Sequence, residues 1–236
     1  MMIRLGRFLF RYRNGLFPLA YFLLLWSGGQ VFANDWVAAA VGFGVALAGQ
    51  ILRAVTIGLA YIVRGGKNKQ VYADGLVTEG MFAHCRNPLY LGNLLMLAGL
   101  GFAANSLLFV AVAVPLFFVA YLAIIAAEEE FLRNKFGQQF DDYCARVNRL
   151  FPSLAGLGQT LGGMEFHWQR LVVKEYGTTY AWLAGTILVL AKNLWLHRGL
   201  VEARPVILAL AVVLGVVTLA YLIARYLKKS RVLRAD

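Results

Sequence analysis

The feature that most constrains this chain is the recurrence of apolar runs about as long as one membrane crossing. Positively charged residues flank these runs almost always on the same side. A helix needs roughly 20 apolar residues to span a bilayer. Six stretches approach or exceed that length: residues 15–33, 36–63, 88–104, 107–127, 178–196 and 205–227. The third and fourth are separated only by Asn105 and Ser106, so they also fit a tight hairpin. Of the 236 residues, 60% are hydrophobic and only 15% charged, which excludes a soluble domain of this size. The expected fold is an all-α polytopic membrane bundle, with about six transmembrane helices and further cytoplasmic interfacial helices.

The basic residues set the orientation. One side receives Arg4, Arg7, Arg11 and Arg13, then Arg64, Lys67, Lys69 and Arg86. It also receives Arg133, Lys135, Arg146, Arg149, Arg170 and Lys174, and finally Arg225, Lys228, Lys229, Arg231 and Arg234. The opposite side carries only Lys192, Arg198 and Arg204. By the positive-inside rule both termini are cytoplasmic. The net charge of +11 therefore reads as topology and contact with anionic headgroups, not as nucleic-acid binding. Arg residues before the first run, and Val31, Phe32 and Ala33 after it, imitate a secretory signal. That run is long for a signal peptide and reads as an uncleaved span. Cys85 and Cys144 lie far apart on the reducing side, where a disulfide is not expected. Two isolated thiols make no metal site.

The polar insertions, residues 64–87 and 128–177, fall on that same side. The second opens as an amphipathic helix, with Leu132, Phe136, Phe140, Tyr143 and Val147 recurring at helical spacing. A glycine-rich run at 156–163 lacks both the preceding strand and the Lys-Ser/Thr ending of a phosphate loop, so it reads as a linker. Residues 164–176 resemble an interfacial piece leading into the fifth span. This divides the chain into residues 1–75, two spans and a loop; 76–152, a core of two spans and an amphipathic helix; and 153–236, a linker, an interfacial helix and two final spans.

Two polar clusters stand at the edges of hydrophobic runs, one membrane crossing out and one back apart. In the first, Arg86, Asn87 and Pro88 precede Tyr90 and Gly92. Pro88 suits the first turn of a helix, and the free N–H groups there favour an anion. In the second, Glu128, Glu129 and Glu130 stand side by side, among only 12 acidic residues in the chain. Adjacent carboxylates beside hydrocarbon repel one another and need positive compensation, from Arg86, Arg146, Arg149 or a cationic ligand. Successive helical residues diverge by about 100°, so the three cannot all serve one ligand. Gln50 and Arg53 add polar groups inside the second span, and Arg53 reads either as an anion holder or as a snorkelling structural residue.

From about Leu76 to Pro152 these residues resemble the integral-membrane methyltransferases typified by isoprenylcysteine carboxyl methyltransferase, with phospholipid N-methyltransferases as relatives. The shared pattern is carried by Gly80, Phe82, Arg86, Asn87, Pro88, Tyr90 and Gly92. One span later it continues through Glu128, Glu129, Leu132, Phe136, Gly137, Phe140, Tyr143, Val147, Arg149 and Pro152. Two positions depart from it: the family His is Asn87, and one family Tyr is Phe140. Asn cannot hold or shuttle a proton near neutral pH. The resemblance implies an S-adenosylmethionine site at the cytoplasmic face and a lipid or lipidated acceptor arriving from the bilayer. It places Arg86, Asn87, Pro88, Tyr90, Gly92, Glu128, Glu129 and Tyr143 around the cofactor, and Arg53, Glu129 and Arg149 nearest the chemistry. No metal is implied. Membrane lipids are the expected partners, and a polar acceptor head is expected near Arg53. The rival readings are a sterol-type reductase using NADPH, and a non-catalytic scaffold or transporter.

Overall fold

A computed structural model describes residues 1–26, 28–60, 73 and 75–234. Arg64, Lys67 and Lys69, and the end of the expected second span, lie outside the described residues. The elements are α1 (Met2–Ala20), α2 (Asp35–Leu59), α3 (Pro88–Ala103), α4 (Phe109–Phe136), α5 (Gln138–Arg146), α6 (Leu157–Gly163) and α7 (Trp168–Lys229). Short 3-10 turns at Tyr21–Leu25 and Gly80–Ala83 extend α1 and lead towards α3. Among the described residues there is no strand. α2, α4 and α7 are long and apolar enough to cross a membrane, and α3 is a shorter apolar helix.

The tightest pairing in the bundle is α2 on α3, and glycine makes it possible. Gly42 and Gly49 on α2, and Gly92 and Gly99 on α3, recur every seventh residue, two helical turns apart. A Cβ at Gly42 would lie 2.2 Å from the Ala103 nitrogen, and one at Gly99 would lie 2.5 Å from the Ala46 nitrogen. Without Cβ atoms the backbones approach closely, as small residues allow between membrane helices. α1 is held in the same way on α4, where a Cβ at Gly6 would meet the Ala123 carbonyl, and Phe17 sets its ring against Phe117 at 4.8 Å.

At the far end of the bundle Asn105 ties the loops together. It accepts from the Val31 and Phe32 N–H groups at 3.0 and 2.9 Å and donates to the Phe32 carbonyl and to Asp35. The α3–α4 connection, residues 104–108, is thus a short hairpin loop fastened by Asn105.

Three expectations are revised. The first helical segment is not 15–33: it starts at Met2 and is followed by a 3-10 turn that stops at Leu25, so its arginines lie on the helix rather than before it. The amphipathic stretch is not one helix: Leu132 and Phe136 belong to the end of α4, and Gly137 takes φ 53° and turns the chain into α5, which carries Phe140 and Tyr143. Its apolar face survives the break, with Leu132, Phe140 and Tyr143 buried in one cluster. The glycine run is not a bare linker, since Leu157–Gly163 is helical.

The last two expected spans are the halves of α7. Gly199 leaves helical geometry at φ 74°, ψ 164°. The chain reverses there, so that Tyr221 stacks on Tyr176 and Tyr180 at 5.4 and 4.5 Å, and Lys228 donates to the Val173 carbonyl at 3.1 Å.

Candidate active site

The start of α3, the end of α2 and the polar end of α4 meet the N-terminal part of α7 around a cavity of about 590 Å³, with α1 as a further wall. α2 supplies Arg53 and Ile57. The approach to α3 and its first turns supply Phe82, Asn87, Pro88, Leu89, Tyr90 and Asn93. α4 gives Tyr121 and Glu128, and α7 gives Lys174 and Glu175. α1 and its 3-10 extension line the cavity with Phe10, Arg13, Asn14, Phe17, Pro18 and Tyr21. The volume is that of a small-molecule site.

The three adjacent carboxylates of α4 take three different partners, as helix geometry demands. Glu128 accepts from the Tyr90 hydroxyl at 2.7 Å, and that hydroxyl in turn accepts from Arg13 at 3.3 Å. Glu129 turns away from the cavity to Arg149, which donates through Nε at 3.2 Å and Nη2 at 2.6 Å, while Arg86 stands 3.5 Å off. Glu130 pairs with the exposed Arg7 at 2.5 Å. The positive compensation for Glu129 thus comes from two of the arginines proposed for it. Arg7 was legible only as a topology signal.

Five of the sequence-derived site residues line the cavity: Arg53, Asn87, Pro88, Tyr90 and Glu128. The others surround it. Gly92 lets α2 cross α3, and a Cβ there would sit 2.5 Å from Arg53 Cγ. Arg86, Glu129 and Arg149 form an ion-pair group that ties the chain after α5 to α3 and α4. Arg86 Nε is buried there without a hydrogen-bond partner. The Tyr143 hydroxyl donates to the Phe82 carbonyl at 2.7 Å and so fixes the 3-10 turn that carries Phe82 to the cavity wall. Asn87, where the family has His, donates from Nδ2 to the Arg149 carbonyl at 3.0 Å. This is an anchoring bond that needs no proton transfer. His84 does not replace the missing His: its ring nitrogens meet the Ser153 carbonyl and Thr160 Oγ1, both at 2.9 Å, away from the cavity.

Sequence reading missed Glu175. The carboxylate is buried and forms an ion pair with Arg53, accepting from Arg53 Nε at 3.0 Å and from Gln50 at 3.3 Å. Trp182 donates to Gln50 at 2.8 Å and completes the bridge from α2 to α7. Arg53 also donates to Asn93 Oδ1 at 2.8 Å and to the Leu89 carbonyl at 3.3 Å. Its charge is therefore already neutralised, which removes the reason to seat an acceptor's anionic head on it. Glu175 lay in a polar stretch that reads as interfacial, and only the fold brings it within reach of Arg53.

Beside the cavity, Cys85 is buried and donates from Sγ to the Leu150 carbonyl at 3.2 Å. Burial pushes its thiol up to about 11. Among the described residues no group of three or more His, Cys, Asp or Glu could hold a metal ion.

The sequence model of the phospholipid methyltransferase family matches residues 36–139. That segment holds α2, α3 and α4, and with them Arg53, Asn87, Tyr90 and Glu128. Two curated proteins are similar over much of their length. One is the nickel-cobalt-cadmium resistance protein NccN of Alcaligenes xylosoxydans xylosoxydans, 30% identical over 155 residues, covering 64% of this chain and 70% of that protein. The other is the cobalt-zinc-cadmium resistance protein CzcN of Cupriavidus metallidurans, 32% identical over 160 residues, covering 64% and 68%. The chain belongs to the phospholipid methyltransferase family. No solved structure matches it. As a member of this family with three long apolar helices, the protein is integral to the membrane. α1, α5, α6 and α7, including Arg13 and Glu175, lie wholly or almost wholly outside the segment that defines the family.

Proposed function

We propose that the protein transfers a methyl group from S-adenosylmethionine to a lipid or lipidated acceptor at the cytoplasmic face of the membrane. The observation that carries this reading is the meeting of Glu128 and Tyr90 with the start of α3 in one cavity of about 590 Å³. The donor set suits a cofactor with two cationic groups and one carboxylate. Glu128 offers the carboxylate for a cation. The N-terminus of α3 offers the first-turn N–H groups of Leu89 and Tyr90, just after Pro88, and the positive end of the helix dipole for an anion. When bound, S-adenosylmethionine would supply an electrophilic methyl on a sulfonium.

The chain's own residues align and desolvate. Tyr90 orients the Glu128 carboxylate by donating to it. Phe10, Phe17 and Tyr121 give the cavity an apolar lining, and an acceptor's tail fits against it. Holding two reactants in line accounts for much of the acceleration in such displacements. An acceptor that is already anionic needs no base. Asn87, bound to a carbonyl, supplies none.

The excess of basic residues at this end supports a cytoplasmic position for the cavity. The names of the two relatives favour a setting of metal tolerance, which in this reading runs through a methylated lipid-soluble product. The test is to supply membranes carrying the protein with S-adenosylmethionine labelled in its methyl group and to extract the lipids. Label in the organic phase, absent with Glu128→Gln, supports the reading; extracts without label from the wild-type protein in its native membrane contradict it.

A further inference from the structure

We infer that Arg13, with Lys174 across the cavity, forms an oxyanion subsite that selects an amphiphile bearing a carboxylate or phosphate head. The role as acceptor site rests on the methyl-transfer reading, whereas the anion binding stands on geometry alone.

The charged residues described in the cavity wall are Arg13, Arg53 and Lys174 against Glu128 and Glu175. Arg53 is paired with Glu175 and also donates to Asn93 and Leu89. Arg13 is differently placed. Its guanidinium packs over the Phe10 ring at 4.3 Å and makes one long bond, 3.3 Å to the Tyr90 hydroxyl. Among the described residues no carboxylate forms an ion pair with it. A planar guanidinium with most of its N–H groups unused, set against aromatic rings, is suited to bidentate capture of an oxyanion. Lys174 adds positive potential from α7.

The charge balance points the same way. Among the described lining residues Arg13, Arg53 and Lys174 outnumber Glu128 and Glu175 by one charge, and a cofactor with a sulfonium, an ammonium and a carboxylate adds another. In a desolvated pocket such a surplus is costly unless a counter-charge enters. An anionic acceptor supplies it, while a cationic one adds to the repulsion. Phe10, Phe17 and Tyr21 on the same wall provide apolar surface for a chain. Arg13 and Lys174 both lie outside the family-matched residues 36–139, so the subsite is a property of this chain's α1 and α7.

The test uses the purified full chain in a neutral maltoside detergent. Binding of dodecyl phosphate, dodecanoate, dodecanol and dodecyltrimethylammonium is measured by calorimetry, with S-adenosylmethionine binding measured on the same samples. Arg13→Gln removes the charge, Arg13→Lys keeps it, and Arg11→Gln on the exposed face of α1 is the control. The proposal expects saturable binding of one or both anions and none of the alcohol or the cation. Arg13→Gln should weaken it roughly tenfold or more, Arg13→Lys less, and Arg11→Gln not at all. The stronger of the two anions then tells phosphate from carboxylate. Equal anion binding by wild type and Arg13→Gln, or equal binding of all four amphiphiles, overturns the subsite. A wild-type protein that takes the anions through Arg13 but not S-adenosylmethionine keeps the anion site and contradicts the methyl-transfer reading instead.

Discussion

Tyr90 and Glu128 are 38 residues apart in sequence, and their side chains meet at 2.7 Å. The chain between them crosses out along α3, turns at Asn105 and Ser106, and returns along α4. The hydroxyl fixes one carboxylate oxygen at the cavity wall, while Glu129 and Glu130 point to other partners. Glu128→Gln should therefore weaken S-adenosylmethionine binding roughly tenfold, and Tyr90→Phe by less. Glu130→Gln, which loses only an exposed pair with Arg7, should leave binding within about twofold. Equilibrium binding on the three purified variants checks the order.

The Arg53–Glu175 pair is expected to hold α7 against α2. Removing one partner of a buried pair leaves an uncompensated charge, at a cost of about 3 kcal/mol. Both Arg53→Met and Glu175→Leu should lower the thermal midpoint in detergent substantially. The double variant Arg53→Met/Glu175→Leu should recover most of that loss. A double variant no more stable than the worse single one would show that the pair is not what joins the helices.

Glycine content separates tolerant from intolerant sites on one helix. Gly42→Ala places a Cβ 2.2 Å from backbone, whereas Gly44 has open space around its Cβ position. Gly42→Ala should destabilise by about 1–3 kcal/mol or block folding, and Gly44→Ala should be neutral. Yields and thermal midpoints of the two variants make the comparison.

Cys85 should resist alkylation at pH 8 in the native protein while reacting readily once unfolded, because burial holds its thiol protonated up to about 11. The unfolded chain releases this proton first, near the ordinary value of 9.0, so the thiol's contribution to stability declines as pH rises from there towards about 11. A maleimide time course with and without denaturant, on a Cys144→Ala background, reads the first effect. Rapid native labelling would contradict the buried placement.

Much of the fold was legible because the bilayer enforces it. Length and apolarity mark α2, α4 and both halves of α7, and the two-residue gap at Asn105 and Ser106 marks the hairpin. The start of α1 was not legible, since Arg4, Arg7, Arg11 and Arg13 read as a flank when they are in fact helical. Of the candidate site, spacing alone separated Glu128 from Glu129, and Pro88 marked the helix start. Which carboxylate faces the cavity was not readable, because helical phase has no origin without a packed partner. Glu175 was hidden for a different reason: its partner, Arg53, lies 122 positions away, and no local pattern marks such a contact.

The most direct test of the account is calorimetric titration of the purified protein in detergent with S-adenosylmethionine and, separately, NADPH. Saturable binding of S-adenosylmethionine alone, weakened by Glu128→Gln, is the expected result. Binding of NADPH alone, or S-adenosylmethionine binding indifferent to Glu128, would contradict it.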